Sequence, residues 1–400
     1  MVLDTGSSDV WVVSCDCKDR DCQDVPRFSP KLSSTFANKS LPFNLGYLSG
    51  KADGQVASDT FSFGEFQVLS QTFATVNEVT NLGLTSSMTS GILGLCFPAI
   101  AAIPATAGAT PLQNIMYNLN PSQRFFGLHL SRLTGSADPN GSFSFGAIDP
   151  ELVPDPTQLA NSSVICTGHE YDYWKLPMHG FIINGSPMEI SRSRVSGADT
   201  PIAVLDSGTT LILGPSDDVA AFYDFFGEGA RRDSAVGYQV RCTLAVLVSV
   251  ILGDDPRGYI LHPADVAWSE GADGGWCTGG VQANDNVNAA DWLLGDTFLR
   301  NAYVVHNYDP PTIGLLGLTD AEAALSEFRL ERGPDVDNQG SDDDATADDE
   351  DEWDMPTGYV KRWEHHANGA VTRVFGAVAG GIGFVVGGVG AIGWRVWRGR

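Results

Sequence analysis

The sequence predicts an all-β protein: two duplicated β lobes with a cleft between them, followed by an apolar C-terminal helix. Three observations carry this reading. Short runs rich in Val, Ile, Phe and Thr, broken by Gly, Ser, Asn and Pro, recur from Met1 to about Leu318; the two halves echo one another; and the composition changes abruptly past Leu330. Runs of that length and type, closed by turn formers, read as strands. With 43% hydrophobic residues in a chain of 400, there is enough apolar material for real cores, so disorder is expected to be local.

The echo is specific. Met1-Val2-Leu3-Asp4-Thr5-Gly6-Ser7-Ser8 is matched by Ala203-Val204-Leu205-Asp206-Ser207-Gly208-Thr209-Thr210. Each copy has a downstream partner at nearly the same interval, Ile92-Leu93-Gly94 after the first and Leu293-Leu294-Gly295 after the second. Self-similarity of this kind marks a duplicated unit. The first lobe is assigned to residues 1–158 and the second to 159–330, with the seam in the polar, Pro-containing stretch 154–163. Helical patterning is sparse. Residues 111–119 and 216–226 are the better candidates, the second opened by a Ser216 cap with Asp217 and Asp218 in its first turn. Both are expected on lobe surfaces.

Residues 331–370 read as an acidic, disordered linker, because between 334 and 354 there are eleven acids and no base. Such a run cannot bury apolar surface and stays solvated. Residues 371–394 read as a transmembrane helix: 375–394 carries no charge, and at a rise of about 1.5 Å per residue it covers about 30 Å of hydrocarbon. Gly380, Gly381, Gly387 and Gly388 weaken a helix in water, but membrane helices tolerate them. The short basic tail 395–400, with Arg395, Arg398 and Arg400, is then cytosolic by charge bias. The chain is expected to be a single-pass membrane protein with its lobes extracellular, or in the lumen of the secretory or vacuolar system.

Charge and cysteines narrow the class. Forty-nine acids against 24 bases give a formal net charge of -25, which argues against a nucleic-acid partner and suits work at low pH. Seven cysteines leave at least one unpaired within the chain. Two pairings suggest themselves, Cys17 with Cys22 across a tight loop and Cys242 with Cys277 across a longer one, while a further bridge among Cys15, Cys96 and Cys166 stays open. Sequons at Asn38, Asn140, Asn161 and Asn184 fall in turn-like stretches, and with the cysteines they favour a glycosylated protein of the secretory pathway. His365 and His366 are neighbours, and no histidine forms a ligand-spaced set with acids or cysteines, so neither a metal nor a cofactor is expected.

An Asp-Ser/Thr-Gly triplet alone is an ordinary turn. Here both copies follow three apolar residues and precede hydroxyl residues, so each carboxylate would stand at the end of a buried strand. Two carboxylates forced together cannot both ionise cheaply, and the pair holds one proton across the acid range. One acid and one base then coexist.

With Asp4-Thr5-Gly6-Ser7-Ser8 through Trp11, Phe43-Asn44-Leu45-Gly46-Tyr47-Leu48-Ser49-Gly50, Ser90-Gly91-Ile92-Leu93-Gly94-Leu95, Asp206-Ser207-Gly208-Thr209-Thr210, and Leu293-Leu294-Gly295-Asp296-Thr297-Phe298-Leu299-Arg300 continuing to Gly317, the chain resembles the pepsin-like aspartic peptidase family over most of its length. The resemblance implies a bilobal acid protease fold, a monomeric catalytic unit, and an aspartic endopeptidase cutting polypeptides at acidic pH between hydrophobic residues. It makes Asp4 and Asp206 the carboxylates that share one catalytic water. Gly6 and Gly208 would let the backbone come close to them, Thr5 and Ser207 would knit the two loops, and Ser7 and Thr209 would hold the outer carboxylate oxygens. Tyr47 and Gly50 would belong to a flap closing over the substrate, with the Tyr47 phenol bonded to the Trp11 indole. Leu48 stands where many members carry Gly, which makes the flap tip bulkier. Catalytically silent relatives typically lose an active-site Asp or the flap Tyr, and Asp4, Asp206 and Tyr47 are all present. The family also carries a signal, a prosegment and first strands ahead of its first motif, so the chain is expected to be incomplete at its start.

Overall fold

The computed structural model describes residues 1–334 except 65, 133–140, 271–273 and 288, together with residues 382–383. The echo in the sequence is a repeat in space. Val2–Asp4 runs parallel to Gly91–Gly94, and Val10–Val13 lies antiparallel on the far side of that strand. In the second half Ile202–Leu205 runs parallel to Trp292–Leu294, which has Ile212–Gly214 antiparallel beside it. Most of these positions are buried, as short apolar strands covered on both faces should be. Each motif therefore delivers its Asp at the end of a buried strand.

Outer strands complete each half. The long hairpin of Lys51–Phe63 and Phe66–Thr80 extends the first sheet, and Ala37–Gly46 pairs onto Lys51–Phe63 to make the flap. In the second half Lys175–Ile183, Val248–Leu252 and Tyr259–Leu261 extend the sheet. A separate four-stranded sheet is built from Ala230–Asp233, Gly237–Arg241, Trp276–Gly279 and Ala267–Glu270. A five-stranded sheet takes strands from both halves, in the order Ser142–Phe145, Phe125–His129, Ala302–Tyr308, Pro311–Gly317, Ala160–Ser163. The largest hydrophobic cluster draws on both halves, including Leu3, Leu93, Phe126, Trp174, Leu205 and Leu294, while a second one lies under the flap around Trp11, Phe43 and Val56.

The helices sit on this frame by one apolar face each. Pro111–Asn118 is opened by a capping box between Thr110 and Gln113 and buries Leu112, Ile115 and Met116. Ser216–Asp224 buries Val219, Phe222 and Tyr223, but its start differs from the sequence reading: Pro215 is the cap residue, and Ser216 is already inside the helix. Asp285, from a distant loop, accepts from the Ser216 N–H (3.0 Å) and hydroxyl (2.5 Å), so a remote carboxylate satisfies the first orphan donor of the helix and places a negative charge at its N-terminus. A further helix, Ala321–Arg332, is capped by Asp320 and seats Ala321, Ala324 and Phe328 against the second half.

Cys17–Cys22 and Cys242–Cys277 form disulfides as expected, while Cys15 and Cys166 are free and exposed and Cys96 is free and buried. Of the sequons, Asn38, Asn161 and Asn184 are exposed and Asn140 lies outside the described residues. Among the described residues no helix is long and apolar enough to cross a membrane. The linker from residue 335 onward, the expected membrane helix 371–394 and the basic tail 395–400 lie outside the described residues, apart from Ile382–Gly383, which pair with Phe61 and Ser62.

Candidate active site

The two Asp-containing loops meet across the approximate twofold of the repeat. Thr5 N–H donates to Ser207 Oγ (3.1 Å) and Ser207 N–H to Thr5 Oγ1 (2.9 Å). Each hydroxyl in turn donates to the strand before the opposite Asp, Thr5 to Leu205 O (2.8 Å) and Ser207 to Leu3 O (2.7 Å). Four reciprocal bonds between buried groups thus fix one loop against the other.

Within each loop the carboxylate is held in the same way. Gly6 N–H donates to Asp4 Oδ1 and Gly208 N–H to Asp206 Oδ1, both at 2.9 Å. The outer oxygens take hydroxyls, Ser7 on Asp4 Oδ2 and Thr209 on Asp206 Oδ2 (2.6 Å for the latter). The glycines are required by space: a Cβ on Gly6 would lie 2.3 Å from Asp206 Oδ1, and one on Gly208 would lie 2.4 Å from Asp4 Oδ1. The inner oxygens therefore face the opposite loop, and the two carboxyls come within hydrogen-bonding reach of each other. Asp4 is 3% exposed. Burial first, and the Asp206 charge second, raise its carboxyl to about 7, against the hydrogen bonds from Ser7 and Gly6. A proton is retained at the centre where an isolated carboxylic acid would have lost it.

Trp11, fully buried on Val10–Val13, donates from Nε1 to the Tyr47 hydroxyl at 2.7 Å. The flap turn closes by Tyr47 N–H to Gly50 O (2.7 Å), and Gly50 packs so tightly on the chain at Thr80 that a Cβ would lie 2.1 Å from its carbonyl oxygen. Burial and the Asp4 charge raise the Tyr47 phenol, keeping it a neutral donor beside the dyad. Leu48, at the tip, is 58% exposed.

Every residue singled out in the sequence for the centre and the flap is brought together here. Asp296, in the motif that closes the second repeat, is a further acid near the centre to which its local sequence assigns no role. It lies half-buried beside Arg300 and within electrostatic reach of Asp206; desolvation raises its carboxyl to about 7, Arg300 opposes this and Asp206 adds to it. Comparing the two repeats would have found it, since Leu95 stands after Gly94 where Asp296 stands after Gly295. Among the described residues no group of His, Cys, Asp and Glu is arranged to hold a metal ion.

A two-lobed β frame whose halves each contribute one carboxyl to a shared, partly protonated pair defines the class structurally. Comparison with known proteins agrees: residues 1–317 match the family described as eukaryotic aspartyl protease. The chain is 32% identical over 335 residues to major aspartyl peptidase 1 of Cryptococcus neoformans var. grubii, covering 80% of this chain and 65% of that protein. It is 30% identical over 319 residues to chymosin of Camelus dromedarius and 28% identical over 327 residues to gastricsin of Callithrix jacchus, covering 79% and 78% of this chain and 76% of each relative. The chain belongs to the eukaryotic aspartyl protease family, a class of peptide-bond hydrolase.

Proposed function

We propose that the chain is an aspartic endopeptidase in which Asp4 and Asp206 activate one water against the carbonyl of a polypeptide substrate. The observation that carries this is the facing pair of inner oxygens with a raised carboxyl at Asp4. The ionised member takes a proton from the water, while the protonated member hydrogen-bonds the carbonyl oxygen and then helps protonate the leaving nitrogen. The flap, with Tyr47 tied to Trp11, closes over the substrate and excludes other water. The scissile bond is taken to lie between hydrophobic residues, as the resemblance to the pepsin-like family implies. The pair needs its shared proton, so activity belongs to acidic pH. Asp206→Asn in the full-length protein should lower kcat by at least about a thousandfold, because the pair then loses its base. Hydrolysis that survives this change, or that ignores a pepstatin-type inhibitor and stops with a chelator, would sink the mechanism.

We also propose that the lobes work as a monomer held to a membrane by residues 371–394, outside the cytosol. The charge-free run, the arginines after it and the exposed sequons at Asn38, Asn161 and Asn184 support this. Carbonate washing should leave the protein in the membrane fraction, and glycosidase should speed its migration on a gel. Release by carbonate, or digestion of the lobes by protease added to the cytosolic face of sealed vesicles, would show the tether or its orientation to be wrong.

A further inference from the structure

Lys175 opens the strand Lys175–Ile183 and is 1% exposed, a depth at which lysine requires partners. It has three. Nζ donates to Thr167 Oγ1 (2.9 Å) and Asp172 Oδ2 (2.7 Å), and it lies 5.7 Å from the centre of the Tyr173 ring. Thr167 and Asp172 are the two ends of an exposed loop, so one buried ammonium closes that loop like a clasp.

The clasped end also reaches both halves of the catalytic pair. Asp172 O accepts from Cys96 Sγ (2.9 Å). Trp174 Nε1 donates to Leu95 O (2.9 Å), and Leu95 N–H donates to Asp4 O (2.8 Å). On the other side Leu205 N–H, immediately before Asp206, donates to Trp174 O (3.0 Å). Tyr173 sits between these anchors, half-buried against a cluster containing Val204 and Leu293. Burial raises its phenol to about 12, and Cys96, Asp172, Asp206 and Asp4 add to this, which places the ring within electrostatic reach of both carboxyls.

We propose that Lys175 is a positioning residue for substrate: by clasping residues 167–172 it fixes the Tyr173 ring as the cleft wall beside Asp206, and thereby sets affinity for an apolar side chain bound on that side. The proposal rests on the peptidase reading above. Neutral Thr167 and partly exposed Asp172 make the clasp removable, since Lys175→Met keeps the apolar stem and deletes only the charge. Adding Asp172→Asn removes the partner charge as well, and this second variant guards against misfolding from an unpaired carboxylate.

The test uses the full chain with Cys15→Ser and Cys166→Ser, so that Cys96 is the remaining free thiol among the described residues. Cys96 is shielded by the clasped segment, so both Lys175→Met and the double variant should speed its alkylation by N-ethylmaleimide about tenfold through local opening. The KM for a peptide with Phe on the Tyr173 side should rise about fivefold with kcat held, while the KM for the same peptide with Ala there stays put. Unchanged alkylation, or an equal loss on both peptides through kcat, would overturn the proposal. Failure of the peptidase reading looks different: the parent cleaves neither peptide, or Asp206→Asn cleaves both as well as the parent. Alkylation and direct binding of the Phe and Ala peptides then decide the clasp without turnover.

Discussion

At the scale of single residues the centre is a problem of space before it is one of charge. A methyl group on Gly208 would collide with the Asp4 carboxyl, at 2.4 Å from Oδ1 and 2.7 Å from its carbon. Gly208→Ala should therefore leave the fold standing and move one carboxyl off its partner, at a cost of about a hundredfold in kcat for a displacement of about 1 Å. Kinetics beside a melting curve checks this; an unchanged kcat would mean the pair tolerates displacement. The two Asp loops and the flap Tyr were legible in the sequence because each is a local motif. The roles of Asp296 and Lys175 were not. Lys175 bonds Thr167 and Asp172 close by in sequence, but what that clasp holds comes from far along the chain, as with the 76 positions that separate Cys96 from Asp172, and Asp296 meets Asp206 only in the fold; no local pattern encodes either meeting.

At the scale of elements, the duplicated strand pairs were readable because their apolar runs recur at a fixed interval. The register of Asp4 opposite Gly94 follows from the same spacing. The helix Ala321–Arg332 is encoded locally, rich in Ala, Leu, Glu and Arg behind an Asp cap, but it straddles the change of composition past Leu330, which masks its end. Ser216 shows the converse: a residue that suits a cap lies one position inside the helix, with its hydroxyl donated to Asp285 from elsewhere in the chain. The disulfides allow a test at this scale. Cys242–Cys277 spans 35 residues and Cys17–Cys22 only 5, so chain-entropy arguments give about 4 kcal/mol for the first and about 2 kcal/mol for the second. Replacing each pair by Ser and titrating with urea should show the larger loss for Cys242 and Cys277, and equal losses would argue against loop closure as the cause.

At the scale of the molecule, buried groups set how stability responds to pH. Asp4 and Asp296 are raised to about 7, mainly by burial. Such carboxyls hold protons when folded, so their contribution is full below about 3.9 and is lost as pH climbs towards 7. His262 and His306 are lowered by burial to about 4 and about 3. Their contribution is full above about 6.5 and is lost as pH falls towards those values. His306 is stacked on Phe126 at 4.4 Å between ring centres, in the sheet shared by the two halves. Across the interval from about 4 to 6.5 the two pairs oppose each other, so these four groups leave little net slope. Each substitution should unmask the other sign: Asp296→Asn should make stability rise with pH relative to the parent, and His306→Phe should make it fall. Denaturant midpoints at pH 4 and pH 7 measure both, and slopes of the same sign in the two variants would refute the balance.

The shared five-stranded sheet has a consequence for what counts as one molecule. Phe125–His129 from the first half is hydrogen-bonded to Ala302–Tyr308 from the second, and Ala160–Ser163 lies on the outer side of Pro311–Gly317. The peptide link between the halves, through the exposed stretch 154–158, is therefore not what keeps them together. A single cut there should yield two fragments that migrate as one particle until denatured. Either fragment made alone should present open strand edges and aggregate, and mixing the two during refolding should recover the particle that neither forms by itself.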